Sequence, residues 1–252
     1  MFASAIKPGR SPLEGEILLV LVPLQGVRGD LLEGPQGVLS EEERVRAKAI
    51  HHPATKSHFM ATRSALRHLL GGCLGVDPKS LAWSYNHKGK PRLWGSAENK
   101  GLVFNVSHSG EHALIAIGWD LKIGVDIEKV RPRKALAPLS KAIMTPQEES
   151  RWQMEGEESR PPSLVATWAS KEAFLKATGQ GIAGGLKSVA IRPGFDGFER
   201  VPPSEGSPDR WQLHLEALND FRWALAYQGP RHHIVGGWFD LYDDAPFPQY
   251  IL

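Results

Sequence analysis

Along Ile123-Gly124-Val125-Asp126-Ile127-Glu128, aliphatic and non-aliphatic positions alternate. In an extended chain Ile123, Val125 and Ile127 then share one face, and Gly124, Asp126 and Glu128 share the other. A different period runs from Trp168 to Lys176, where Glu172 and Lys176 fall one helical turn apart with Trp168 a turn before them. Val165, Trp168, Ala169 and Leu175 flank that pair, while Ala166, Ala173, Phe174 and Ala177 cover the opposite side. A helix apolar nearly all round is buried, so its two charges need partners.

The same patterns predict the remaining elements in order. Glu16 to Leu24 is an apolar strand, and Ser40-x-x-Glu43 is a capping box that opens a short helix ending near His51 and Pro53. A longer helix follows from Ala54 to Leu70, with Phe59, Ala65, Leu66, Leu69 and Leu70 facing the core and Gly71-Gly72 as its stop. Leu81 to Asn86 reads as a strand, Lys88-Gly89 as a turn and Lys90 to Leu93 as another extended piece. Leu102 to Ser107, His112 to Gly118 and Ile123 to Glu128 are linked too briefly for parallel crossovers, which predicts an antiparallel meander. Thr145-Pro146-Gln147-Glu148 is a second capping box, and a second long helix runs from Ser163 to Thr178, where Gly179 stops it. Strand-like runs follow at Ser188 to Arg192, Phe198 to Val201, Trp211 to Leu215, Trp223 to Tyr227 and Ile234 to Phe239. Each half therefore reads as capped short helix, longer helix, glycine, then strands. The expected architecture is α+β, two subdomains of similar plan, 1–120 and 121–252, with the carboxylate strand at the join.

Composition narrows the chemistry. The chain has 252 residues, enough for a full core, and 41% of them are hydrophobic, as in a globular protein. Thirty basic residues against 28 acidic ones leave a formal net charge of +2, so no global field recruits nucleic acid or an anionic membrane surface. The single cysteine, Cys73, excludes an internal disulfide and a cysteine-based zinc cage, which fits a reducing, cytoplasmic setting. Lys7 and Arg10 precede the apolar run Ile17 to Leu24, but Glu14 and Glu16 interrupt any signal-peptide pattern, and no stretch reaches the roughly 20 apolar residues of a membrane span.

Asp126 and Glu128 alone fit the solvated face of a half-buried strand, and Glu172 with Lys176 could be a self-satisfied helical pair. If the helix face packs on the strand, three carboxylates and one amine converge. Two like charges about 4 Å apart repel by roughly 4 kcal/mol at an effective dielectric near 20, so three acids call for a cation. Oxygen-only ligation favours Mg²⁺ or Mn²⁺, which keep positions open for phosphate oxygens. Ser107-His108 is not a nucleophile and base, because strand neighbours face opposite ways. His108-x-x-x-His112 has zinc spacing only on a helix, and Ser109-Gly110 between them reads as a turn. Ser107 and His108 remain as phosphate contacts or turn residues. Lys90 and Arg63, taken alone, are solvated surface cations.

These residues together resemble the 4'-phosphopantetheinyl transferases. Ile123 to Glu128 followed by Trp168-Ala-Ser-Lys-Glu-Ala-Phe-Leu-Lys176 is similar to that family's paired signature. Upstream Phe104-Asn-Val-Ser-His-Ser109 and Gly89-Lys90-Pro91 point to its surfactin-synthetase-activating type. The resemblance spans roughly residues 40 to 190 and implies a pseudo-dimer of two similar α+β subdomains in one chain, with the active site at their interface. It implies a monomeric enzyme that moves the phosphopantetheine arm of coenzyme A onto a serine of an acyl or peptidyl carrier protein, in fatty acid, polyketide or nonribosomal peptide synthesis. It further implies Asp126, Glu128 and Glu172 as Mg²⁺ ligands and Lys176 as a pyrophosphate contact. Ser107 and His108 become phosphate contacts, Arg63 and Lys90 lie around the adenosine 3'-phosphate, and Glu148 occupies an acidic position of the family. Glu172, a metal-bound water and Glu148 stay open as the base that takes the serine proton. A non-catalytic module that binds coenzyme A or a carrier protein is the alternative, and another Mg²⁺-dependent phosphotransferase or nuclease the third reading, with nucleic acid disfavoured by the near-neutral charge.

Overall fold

In the computed structural model, residues 1–2, 4–7, 9–26, 37–95, 100–130, 136–181 and 185–241 are described. Strand β1 (Glu16–Pro23) carries an unbroken run of fully buried aliphatics, the pattern of a strand covered on both faces. Helix α1 (Glu41–Lys48) opens on the expected Ser40–Glu43 capping box. Helix α2 (Pro53–Leu74) runs through Gly71-Gly72 and stops at Gly75, whose left-handed φ of 67° closes the helix end. A Cβ on Gly71 would lie 3.0 Å from the Val76 carbonyl, so that glycine admits the returning chain rather than ending the helix.

Strands β2 (Ala82–Tyr85) and β3 (Pro91–Trp94) form a small hairpin. Next come β4 (Leu102–Ser109), β5 (His112–Trp119) and β6 (Ile123–Lys129). Helices α3 (Leu136–Ile143), α4 (Pro146–Gln153) and α5 (Arg160–Thr178) precede β7 (Ala190–Ile191) and β8 (Phe198–Arg200). Strands β9 (Trp211–Leu218), β10 (Phe221–Gln228) and β11 (His233–Trp238) complete the fold. No described helix is long and apolar enough to cross a membrane.

The expected meander breaks at its third strand. β4 and β5 pair as a hairpin, but β6 joins β10 in a different sheet. One sheet has the order β11-β1-β5-β4, the other β6-β10-β9. Along the seam, side chains of β4 replace a backbone ladder: Asn105 Oδ1 accepts from the Val125 N–H at 2.9 Å, and Ser109 Oγ from the Lys129 N–H at 3.2 Å. A β6 edge that would otherwise hold buried, unpaired donors is thereby satisfied.

The repeat read from the sequence reappears as topology. β1-β5-β4 and β6-β10-β9 have the same order, first strand beside the second arm of a tight hairpin. Each half has a capping-box glutamate buried against a cation of the following long helix, Glu43 on Arg67 and Glu148 on Lys171. The inner faces of the sheets meet through Ile17, Leu19, Leu21, Val125, Ile127, Trp223 and Leu225. Helix α2 covers the outer face of the first sheet and α5 that of the second. β11 lies beyond residue 121 in sequence yet pairs in parallel with β1, so the chain returns to its first sheet.

Matching the registers shows why only one half carries acids. Asp126 stands opposite Ala224 as Val20 stands opposite Ile115, each three positions into the second arm of its hairpin. Where β6 offers carboxylates to its helix, β1 offers valines.

Candidate active site at the seam

Gly124 sets the approach of α5 to β6. A Cβ there would lie 2.0 Å from the Ala173 carbonyl oxygen and 2.3 Å from the Ala177 nitrogen, so the helix backbone rests directly on the strand. Glycine on the strand and alanines on the helix are the residues that permit this contact, and α5 ends at Gly179 in the left-handed conformation. The approach carries Glu172 and Lys176 over Asp126.

The result is a cavity of about 320 Å³ walled by Ser107, His108, Asp126, Glu128, Trp168, Glu172 and Lys176. Asp126 is buried, and its Oδ1 accepts from Lys176 Nζ at 2.6 Å and from Ser107 Oγ at 2.7 Å. Ser107 Oγ in turn accepts from Lys176 Nζ at 2.8 Å, so serine, lysine and aspartate close a triangle. Ser109 Oγ donates to Glu128 Oε2 at 3.2 Å. Burial, reinforced by the Asp126 charge, pushes the Glu172 carboxyl up to about 7, with Lys176 acting in the opposite direction.

Two buried carboxylate oxygens in this wall, Asp126 Oδ2 and Glu172 Oε1, have no hydrogen-bond partner among the described residues. Partnerless buried acceptors are expensive, and these two suit a hard divalent cation that takes oxygen ligands. The cage is nevertheless more open than the sequence suggests. Among the described residues no three His, Cys, Asp or Glu side chains form a group that could hold a metal by themselves; the positive charge on Asp126 is the Lys176 ammonium. An ion there needs oxygens from outside the protein, as Mg²⁺ with water and phosphate ligands has.

Beyond His108 the wall continues into a second cavity of about 180 Å³, lined by Arg46, Phe59, Thr62, Arg63, Val106 and others. The Arg46 and Arg63 guanidinium groups lie 5.3 and 5.8 Å from the centre of the Phe59 ring, which places two cations beside the exposed His108. Arg63 is the cation that the family resemblance implies near a phosphate. Arg46 was not foreseen, because it sits on an exposed face of α1 and only the packing of α1 on α2 brings it here.

Three predicted residues have partners within the protein that the sequence does not reveal. Ser107 is held by Asp126 and Lys176, so it orients the aspartate. Lys90 Nζ donates to the Ile123 and Ala177 carbonyls, at 3.1 and 3.0 Å, and the residue lines a cavity of about 220 Å³ with Lys176. Glu148 lies in the wall of a separate cavity of about 170 Å³. Its Oε2 accepts from Thr145 N–H at 2.7 Å and Lys171 Nζ at 2.6 Å, and its Oε1 from Ile191 N–H at 2.8 Å. Both oxygens are thus engaged within the protein, and Glu148 faces a cavity other than the one that holds Asp126 and Glu172. The fully buried Lys171 was not foreseen as its partner, since nothing in a single sequence couples α4 to α5 at that pair.

Comparison with known proteins agrees on one family. The family model for the 4'-phosphopantetheinyl transferase superfamily matches residues 122–227. The 4'-phosphopantetheinyl transferase HetI of Nostoc sp. is 36% identical over 176 residues, covering 70% of this chain and 74% of that protein. A Synechocystis sp. protein assigned to the same class, slr0495, is 36% identical over 204 residues, 78% of this chain and 82% of its own length. The holo-[acyl-carrier-protein] synthase of Neisseria meningitidis overlays 43% of this chain and 98% of its own, with a TM-score of 0.34 at 24% identity, a likeness too remote to decide anything.

Proposed function

The chain belongs to the 4'-phosphopantetheinyl transferase superfamily, and on that premise we propose that it transfers the 4'-phosphopantetheine arm of coenzyme A to a serine hydroxyl of an acyl or peptidyl carrier protein, releasing adenosine 3',5'-bisphosphate. The observation that carries the reading is the pair of partnerless carboxylate oxygens, Asp126 Oδ2 and Glu172 Oε1, in one cavity beside a cavity lined by Arg46 and Arg63. An acidic wall next to a basic one suits a divalent cation and the phosphates it bridges.

Asp126 and Glu172, with Glu128 beside them and water or phosphate oxygens supplied from outside, would hold Mg²⁺ or Mn²⁺, which when bound supplies charge neutralisation to the leaving phosphate. Lys176, already within 2.6 Å of Asp126, meets charge on the pyrophosphate. Ser107 keeps Asp126 Oδ1 oriented, and His108 with Arg46 and Arg63 receives the 3'-phosphate. Glu172 is the carboxylate of this cavity placed to accept the proton of the attacking serine, through the oxygen it does not give to the cation. The attacking oxygen forms its bond to the β-phosphorus, and the bond from that phosphorus to the bridging oxygen breaks. Both halves that wall this cavity, β4 with β6 and α5, are supplied within the one sequence, so a single polypeptide suffices for one site in this scheme.

The function is tested by incubating an apo carrier protein with coenzyme A, Mg²⁺ and this protein. The carrier gains the mass of one phosphopantetheine, and excess EDTA abolishes the gain. Binding of coenzyme A or carrier without a mass gain, across a panel of fatty acid, polyketide and nonribosomal peptide carriers, would mark a non-catalytic module. Full activity in EDTA would remove the cation from the scheme.

Arg63→Ala is expected to weaken coenzyme A at least tenfold while barely affecting dephospho-coenzyme A, since a charge-assisted contact is worth about 1.5–3 kcal/mol. Arg46→Ala should act in the same direction. Equal weakening of both ligands would place the 3'-phosphate elsewhere.

A further inference from the structure

The turn between β2 and β3 reaches across the seam and touches both acid-bearing elements. From it, Lys90 Nζ donates to the Ile123 carbonyl at the start of β6 and to the Ala177 carbonyl near the end of α5. From the same turn, Asn86 Nδ2 donates to the Gly179 carbonyl at 3.2 Å. Asn86 Oδ1 accepts the main-chain N–H groups of Lys88 and Lys90, each at 2.9 Å, which fixes the amide's orientation and the turn's shape together.

The acceptors are significant. The last carbonyls of a helix have no partner within it and carry the negative end of its dipole. Ala177 and Gly179 are such positions on α5. Ile123 belongs to the β6 edge that faces the seam, three residues before Asp126, and Ala177 follows Lys176 directly. A single ammonium therefore bridges the strand that carries Asp126 and the helix that carries Glu172 and Lys176. Burial, with Lys122 nearby, pulls Lys90 down to about 8, the direction expected for an amine that answers carbonyls rather than a carboxylate. A Cβ on Gly179 would come within 2.9 Å of Asn86 Nδ2, so the helix-stopping glycine also admits the turn.

We propose that Lys90 and Asn86 are positioning residues for the transfer reaction, tying the end of α5 to the start of β6 so that Glu172 and Lys176 stay in register with Asp126. This rests on the transferase reading and assigns Lys90 away from the 3'-phosphate. A positioning error of about 1 Å can cost on the order of a hundredfold in rate.

The experiment compares Lys90→Met, Asn86→Ala, the double variant and Arg63→Ala in the full chain. It measures kcat and KM with coenzyme A and with dephospho-coenzyme A, and amide hydrogen exchange at Val125 and at Lys176 to Thr178. Expected is a tenfold or greater fall in kcat for both Lys90→Met and Asn86→Ala, with the parent's preference for coenzyme A over dephospho-coenzyme A retained. The double variant should be little worse than Lys90→Met, and exchange should quicken at those amides in all three. Arg63→Ala should instead lose the preference and leave exchange unchanged. The proposal is overturned if Lys90→Met loses the preference while Asn86→Ala behaves as the parent, or if exchange at the α5 end is unaltered in both. Should the parent itself fail to modify any carrier, the transferase reading falls, and the exchange measurement still decides whether the turn holds α5 to β6.

Discussion

Glu172→Gln should lower turnover by orders of magnitude while leaving the ligand-free protein as stable as the parent, or more stable, at pH 8. The substitution preserves size and helix propensity and removes the charge that burial and Asp126 oppose. In the parent the folded-state carboxyl titrates near 7, above its ordinary value of 4.5. Between those values the folded state holds a proton that the unfolded state has released, so stability falls as pH rises through that window. Full stabilisation is present below about 4.5 and is lost above about 7, and glutamine, which does not titrate, should abolish this component of the pH dependence. With Mg²⁺ and coenzyme A the order reverses, because bound ligand stabilises the native state by mass action and the variant has lost a ligand oxygen.

The geometry separates this outcome from that of a simple ion pair. Lys176 donates to Asp126 Oδ1 and Ser107 Oγ, so glutamine at 172 does not strand the ammonium. Breaking a true buried pair would cost about 3–5 kcal/mol. Melts of parent and variant between pH 4 and 8, with and without Mg²⁺ and coenzyme A, distinguish the cases. A large loss of stability in the ligand-free variant with an unchanged Mg²⁺ response would defeat the assignment of Glu172 to the site.

Gly124→Ala should be damaging out of proportion to one methyl group. The new Cβ meets helix backbone, Ala173 O at 2.0 Å and Ala177 N at 2.3 Å, which no rotamer change relieves. Overpacking of a core usually costs about 1–3 kcal/mol, occasionally more; here the high end is expected, because α5 must move as a body. Lifting α5 also lifts Glu172 and Lys176 from Asp126, so kcat should fall a hundredfold or more even where the protein stays folded. Gly118→Ala is the control. Its Cβ meets the Leu121 Cδ2 methyl at 2.8 Å, the end of a flexible side chain that can turn away, so stability should drop modestly with kcat retained. Equal effects of the two substitutions on kcat would show that the approach at Gly124 does not set the site.

Much of this was determined by sequence alone, because it depends on local periodicity. The alternation from Ile123 to Glu128 dictated that Asp126 and Glu128 share a face with Gly124, and the helical spacing of Glu172 and Lys176 dictated that both point one way. The two capping boxes are local chemistry between residues three apart, and both form as read. Tertiary structure decided what depends on which partners meet. Hairpin-length connections do not reveal that β6 leaves β5 for β10, since the Asn105 and Ser109 side chains that make the seam tolerable act across 20 residues. Residue type could not distinguish Lys90 bonding two carbonyls from Lys90 facing a phosphate, nor Glu148 bound to Lys171 from Glu148 free to act as a base. A charged side chain takes its role from the acceptors and donors around it, and here those come from strands and helices far away in the chain.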